Sequence, residues 1–174
     1  MKSANRKKSP VSMICSALGT ILLVVLILGC IPLTVPRIFG YQLYTVISGS
    51  MEPEIPVGSL VYIKGMEPQD VEEKDVIAFY GGRDTSAIIT HRVVENRVVM
   101  GEFITKGDAN QTEDMNPVDY DEFIGRVELS IPTVGGIAQS LTSREGKIAA
   151  VSMIGLAIVL EILGAVFDKS GEKQ

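Results

Sequence analysis

Cysteine and histidine are scarce in this chain of 174 residues: there are two of the first and one of the second. Both cysteines, Cys15 and Cys30, fall inside one apolar run near the N-terminus, so the polar middle of the chain contains none. That excludes a disulfide framework and a thiolate nucleophile outside the run. A lone histidine, His91, excludes any multi-histidine metal site. Basic residues are also sparse. Residues 33–147 hold 18 acids against 10 bases, a net charge of −8. This argues against nucleic acid as a partner and otherwise reads as a solubilising surface. No internal repeat or low-complexity tract is present.

Apolar sequence is abundant and concentrated at the two ends. Residues 11–31 run 21 positions without a charge, and residues 148–167 form a second run of 20 broken only by Glu161. Each is enough helix to cross roughly 30 Å of hydrocarbon. Lys2, Arg6, Lys7 and Lys8 precede the first run, with no acid before it. The positive-inside rule therefore keeps the N-terminus cytoplasmic and translocates the middle of the chain. A cleavable signal peptide is the competing reading, but its apolar core is usually about 7–15 residues. This run is longer and leads into Pro32 and Pro36. The tetrad Ile27-Leu28-Gly29-Cys30 loosely resembles a lipoprotein processing site. Glu161 would be costly in lipid, so it reads as snorkelling or as pairing with another helix, a pointer to a partner subunit.

The expected organisation follows: a cytoplasmic basic N-terminus (1–10), a transmembrane helix (11–35), an extracytoplasmic β-rich domain (36–134), a polar linker (135–147), a second transmembrane helix (148–167) and a tail (168–174). Within the middle section, β-branched and aromatic runs predict strands at 41–47, 60–63, 76–80 and 123–131. A hairpin is expected from 87–94 and 97–105, turning at Glu95-Asn96. Residues 67–75 and 108–122 read as loops. The fold class is mainly β, a small sandwich or barrel-like domain.

Chemistry centres on Ser48-Gly49-Ser50-Met51-Glu52-Pro53. Gly49 permits close backbone approach or a positive φ, and Pro53 stiffens the exit from the turn. The Ser50 N–H and the Ser48 hydroxyl are then candidate donors to an oxyanion. The bland alternative is an ordinary Ser/Gly turn. Strand alternation places His91 on one face with Ile89 and Val93, where a histidine is more often structural. It is a candidate base because its ordinary pKa is near neutral. Asp108 reads as an Asx turn within Gly107-Asp108-Ala109-Asn110, and Asp114 lies further along the same acidic loop. A calcium loop fails, because Thr112 and Glu113 stand where a ligand and a glycine are needed. Lys64 and Lys106 are competing bases for a Ser-Lys dyad, although neither lies on an apolar strand face. A non-catalytic, membrane-anchored binding module is the remaining alternative.

Taken together and in this order behind a membrane anchor, Ser48–Pro53, Thr90-His91-Arg92 and Lys106-Gly107-Asp108-Ala109-Asn110 with Asp114 resemble the successive boxes of type I signal peptidases. The resemblance is to the branch like the endoplasmic-reticulum enzyme, found also in archaea and Gram-positive bacteria, in which histidine replaces the more common bacterial lysine. It implies a mainly β catalytic domain that removes signal peptides on the outer face of the membrane, after a small-x-small site. It implies Ser50 as nucleophile, His91 as general base, Asp114 orienting His91, Asp108 supporting the site, and Ser48 with Ser50 holding the oxyanion. No cofactor or metal is implied. Implied partners are secretory preproteins and membrane lipid. Other membrane subunits or a translocon are further candidates.

Overall fold

The computed structural model describes residues 10–82 and 87–170. Lys2, Arg6, Lys7 and Lys8, on which the expected orientation rests, lie outside them, as do the last residues of the tail. The described chain falls into two units, residues 33–140 and a unit formed by the two ends, within 1–32 and 141–174.

The first unit is one antiparallel sheet of seven strands: β1 (Tyr41–Thr45), β2 (Leu60–Lys64), β3 (Val76–Tyr80), β4 (Ile88–Arg97), β5 (Glu102–Lys106), β6 (Val118–Asp119) and β7 (Phe123–Ile131). Their spatial order is β1-β2-β7-β3-β4-β5-β6, so β1 is an edge strand. Register shifts at Tyr62/Ile63, Ala78/Phe79 and Val93/Glu95 interrupt three of the pairings. Such bulges bend and twist strands, and here they curl the sheet. The β-rich expectation is met by a single curled sheet.

Strand β3 is apolar on both faces because it is buried on both. Ile77 and Phe79 enter one cluster with Val71, Val93, Phe103 and Val118. Ala78 enters the other, with Met51, Ile55, Val61 and Ile63. A third cluster joins Leu33, Leu60, Tyr62 and Ala138.

Two sequence expectations differ from the structure in this unit: the loop expected at 108–122 carries the short strand β6, and the hairpin turn moves. The β4–β5 turn is not at Glu95-Asn96, since β4 runs on to Arg97 and the chain reverses at residues 98–101, with Gly101 at φ 72°. Asn96 looks like a turn residue by composition. Its amide nitrogen instead donates to the Pro68 and Val71 carbonyls at 3.0 and 2.8 Å, and its oxygen accepts from the Tyr120 hydroxyl at 2.5 Å. A polar side chain satisfied in this way sits in a strand at little cost. Residues 135–147, the expected linker, are mostly helical. Helix α2 covers Val134–Thr142, and a longer helix begins at Arg144. A methyl group on Gly135 would fall 2.6 Å from Thr45 Cγ2 and 2.7 Å from the Gly58 carbonyl oxygen. The glycine serves close packing.

The end unit contains most of α1 (Pro10–Ile38) and α3 (Arg144–Ser170). Both are long and apolar enough to cross a membrane, α3 over Arg144–Asp168. Helix α1 continues through Pro32 and Pro36, beyond the expected end at residue 35. Within the unit the helices meet through small residues. A methyl group on Gly19 would lie 3.0 Å from the Ala157 carbonyl oxygen, and one on Gly164 would lie 2.6 Å from Ser16 Oγ. Close approach of this kind is how helices associate in lipid. Glu161 finds its partner here: Thr20 Oγ1 donates to Glu161 Oε1 at 2.9 Å. The carboxyl group thus pairs within the chain's own helices.

Candidate active site

Ser50 sits in a turn that two apolar side chains pin to the core. Met51 is 1% exposed and Ile55 is 3% exposed, both in the cluster with Val61, Ile63 and Ala78. The turn is closed by Glu52 N–H donating to the Gly49 carbonyl at 3.1 Å and Ile55 N–H to that of Met51 at 2.8 Å. The Glu52–Pro53 peptide is cis. Gly49 has no positive φ, and a methyl group there would meet only the Glu52 carboxyl group at 3.4 Å. The conformational licence expected of Gly49 is therefore not used. Ser48 Oγ and Ser50 Oγ lie 3.4 Å apart.

His91 lies in β4 opposite Ile77 of β3. It is buried, and its ring meets that of Phe79 edge-on at 6.2 Å. Its Nδ1 lies 2.5 Å from Asp114 Oδ2. Facing a carboxylate, which accepts, the neutral form of the ring carries its hydrogen on Nδ1 and keeps the Nε2 lone pair. Thr105, fully buried in β5, donates its hydroxyl to the same Asp114 oxygen at 2.6 Å. The backbone repeats the tie, with Asp114 N–H donating to the Thr105 carbonyl at 2.9 Å.

Asp108 is held elsewhere. Arg92 Nε and its terminal nitrogen donate to Asp108 Oδ1 and Oδ2 at 2.8 and 2.6 Å, and Arg92 also donates to the Lys74 carbonyl at 2.8 Å. The hydrogen bond with Asp108 is the largest influence raising the Arg92 pKa, opposed by partial burial. This forked pair fastens the 107–110 loop to β4. The loop in turn holds the serine turn, since Ala109 N–H donates to the Ser50 carbonyl at 2.9 Å.

Gly107 is where these parts converge. A methyl group on it would fall 2.6 Å from the Ser50 carbonyl oxygen, 2.9 Å from Asn110 Nδ2 and 3.0 Å from His91 Nε2. Only a bare backbone lets the serine turn and the imidazole flank the same residue. Gly107→Ala is expected to separate them, lowering cleavage by about 10²-fold, the scale of a displacement near 1 Å. Steady-state cleavage alongside a thermal melt checks this. A variant with unchanged rate would show that the close approach is not needed for activity.

A cleft of about 400 Å³ opens beside Ser50, lined by Tyr44, Val46, Ile47, Ile55, Ala87 and Ile88 among others. It has the concave, mainly apolar character of a ligand site. The structure thus brings Ser48, Ser50, His91 and Asp114 to one region and gives Asp108 to Arg92. Lys64 lies apart, 5.7 Å above the Tyr41 ring. Sequence reasoning missed Thr105, Arg92 and the steric role of Gly107. A signal for Thr105 was available: it shares a strand face with the buried Phe103, where a hydroxyl needs a partner.

No family model matches the chain. It is 41% identical over 87 residues to signal peptidase I W of Bacillus subtilis (strain 168), a match covering 48% of this chain and 44% of that protein, so the chain spans less than half of that relative. It is 33% identical over 126 residues to the signal peptidase complex catalytic subunit SEC11 of Colletotrichum graminicola, covering 67% of this chain and 73% of that protein. The SEC11C subunit of Rattus norvegicus is 28% identical over 128 residues, covering 67% and 66%. Likeness of this identity and extent is that of common descent: the chain belongs to the type I signal peptidases, in the branch resembling the endoplasmic-reticulum enzyme.

Proposed function

We propose that this chain is a membrane-bound serine endopeptidase that removes N-terminal signal peptides from secretory preproteins, with Ser50 as nucleophile and His91 as general base. The observation that carries the reading is the His91 Nδ1–Asp114 Oδ2 bond of 2.5 Å, with Nε2 turned to the glycine that also abuts the Ser50 backbone. His91 Nε2 takes the Ser50 Oγ proton as that oxygen attacks the scissile carbonyl. Asp114 holds the ring and stabilises the imidazolium. The oxyanion is met by the Ser50 N–H and the Ser48 hydroxyl, a role supported by the 3.4 Å spacing of the two side-chain oxygens. The tetrahedral intermediate collapses, and the leaving amine takes its proton from His91. Water, deprotonated by the same imidazole, then frees the acyl group. Asp108 supports this arrangement through Arg92 and the 107–110 loop.

The substrate lies extended along the open edge of β1, adding a strand to the sheet. Its small side chains, one and three residues before the cut, enter the cleft of about 400 Å³ between β1 and Ala87-Ile88. The two apolar helices span the cell membrane, with the β unit on the extracytoplasmic side. Tethering enzyme and substrate to one bilayer raises their effective concentration. Other membrane subunits are candidate partners, a reading supported by the SEC11 relatives, which are named as subunits of a complex.

The test is cleavage of a membrane-inserted preprotein by the full chain, followed by reading of the new N-terminus. A cut after a small-x-small site, lost when the residue before the cut is made bulky, is the expected result. A cut insensitive to that residue would overturn the specificity. No cut by the folded chain across several preproteins would overturn the function.

A further inference from the structure

We infer that Thr105 is a positioning residue of this reaction, acting through Asp114. The inference rests on the Ser50–His91–Asp114 reading above. Thr105 has no exposed surface, and it stands in β5 on the same face as Phe103, which has none either. At such a position valine would fill the same space and suit a strand equally well. A hydroxyl is costly there unless it is hydrogen-bonded. Its partner is Asp114 Oδ2 at 2.6 Å, the same oxygen that lies 2.5 Å from His91 Nδ1. Thr105 thus fixes the carboxylate oxygen that fixes the imidazole. It also shares the negative charge that the ring would otherwise face alone.

The geometry separates this role from loop anchoring. Asp114 N–H donates to the Thr105 carbonyl, and that bond survives any change of side chain at position 105. Replacing the side chain therefore isolates the hydroxyl. The other groups around the pair stay constant. Phe79 of β3 and Gly107 bring no charge, Asp119 and Glu122 line the same cavity of about 430 Å³ as His91 and Asp114, and Asp108 is already paired with Arg92.

The test compares Thr105→Val, Thr105→Ser and Thr105→Ala in the full chain, reconstituted in vesicles and cutting a preprotein. Thr105→Val is expected to lower kcat about 10- to 100-fold, the worth of one hydrogen bond to a charged group, with little change in KM. Its acid limb in kcat/KM against pH should move to higher pH, because an Oδ2 with one donor fewer presents more negative charge to the ring and favours its protonated, inactive form. Thr105→Ser, which keeps the hydroxyl, should restore both rate and limb. A packing role predicts the opposite order, with Val above Ser and no movement of the limb, and that result would sink the inference. Should Thr105→Val fail to fold, Ser and Ala remain a matched pair: both lose the methyl group and differ only in the hydroxyl. Equal rates for these two would also overturn the role. His91→Ala is run alongside. If it cuts as fast as wild type, the Ser50–His91–Asp114 reading falls, and the role of Thr105 with it. If His91→Ala is dead while Thr105→Val is wild-type in rate and pH profile, only the Thr105 inference falls.

Discussion

Ser50→Ala and His91→Ala are each expected to slow preprotein cleavage by about 10⁶-fold, and the double variant to be no slower than either. In the proposed mechanism the two side chains act as one unit. A serine hydroxyl is a weak nucleophile without a base to take its proton, and an imidazole without the serine has nothing to activate. What survives comes from the oxyanion donors and substrate binding alone. Single-turnover cleavage in vesicles, with melts to show that each variant is folded, provides the check. Lys106→Ala belongs in the same series and should cut at close to the wild-type rate. If His91→Ala kept its activity and Lys106→Ala lost it, the base would be lysine. Multiplying losses in the double variant would mean that serine and histidine act in separate steps.

Asp114→Asn is expected to lower kcat by about 10⁴-fold while leaving the fold intact. Asp114 Oδ2 accepts from both Thr105 and His91 Nδ1. Asparagine has one oxygen and one amide nitrogen. With its amide nitrogen where Oδ2 stood, it donates one hydrogen to the Thr105 hydroxyl oxygen and the other to the imidazole. His91 must then accept at Nδ1 and carry its hydrogen on Nε2, the tautomer that cannot take the Ser50 proton. Asp108→Asn should behave differently. It breaks a forked, partly buried pair with Arg92, costing about 1–3 kcal/mol of stability. In a β unit of this size that lowers the melting temperature by several degrees, and the rate falls mainly as the 107–110 loop loosens. Measuring kcat and melting temperature for both variants separates the roles. A large kcat loss in a fully stable Asp108→Asn, with Asp114→Asn unaffected, would exchange the two assignments.

The contrast between these aspartates shows where sequence reading stops. His91 and Arg92 are neighbours in β4 and therefore point to opposite faces. Each takes one carboxylate from the same acidic loop: Asp114 goes to the imidazole and Asp108 to the guanidinium. Spacing along the chain cannot sort them, because the choice depends on which face of the curled sheet each part of the loop reaches. Thr105 was missed for the same reason, its partner lying nine residues away across a loop.

Much of this fold is specified by local chemistry. Strands β3 and β7 match their expected limits, 76–80 and 123–131, because β-branched and aromatic runs are bounded there by glycine or proline. The apolar helices are legible from length alone, and the serine, histidine and aspartate boxes from short contiguous strings. These features depend on neighbours in the chain, so residue order is enough to specify them. The position of the β4–β5 turn, the helical 135–147 segment, the intrachain partner of Glu161 and the division of labour between Asp108 and Asp114 depend on neighbours in space. Each was decided by a hydrogen bond or a close backbone approach between residues distant in sequence: Asn96 with Pro68, Gly135 with Thr45, Glu161 with Thr20, and Asp114 with His91. Contacts of that kind exist only once the sheet has curled and the helices have packed.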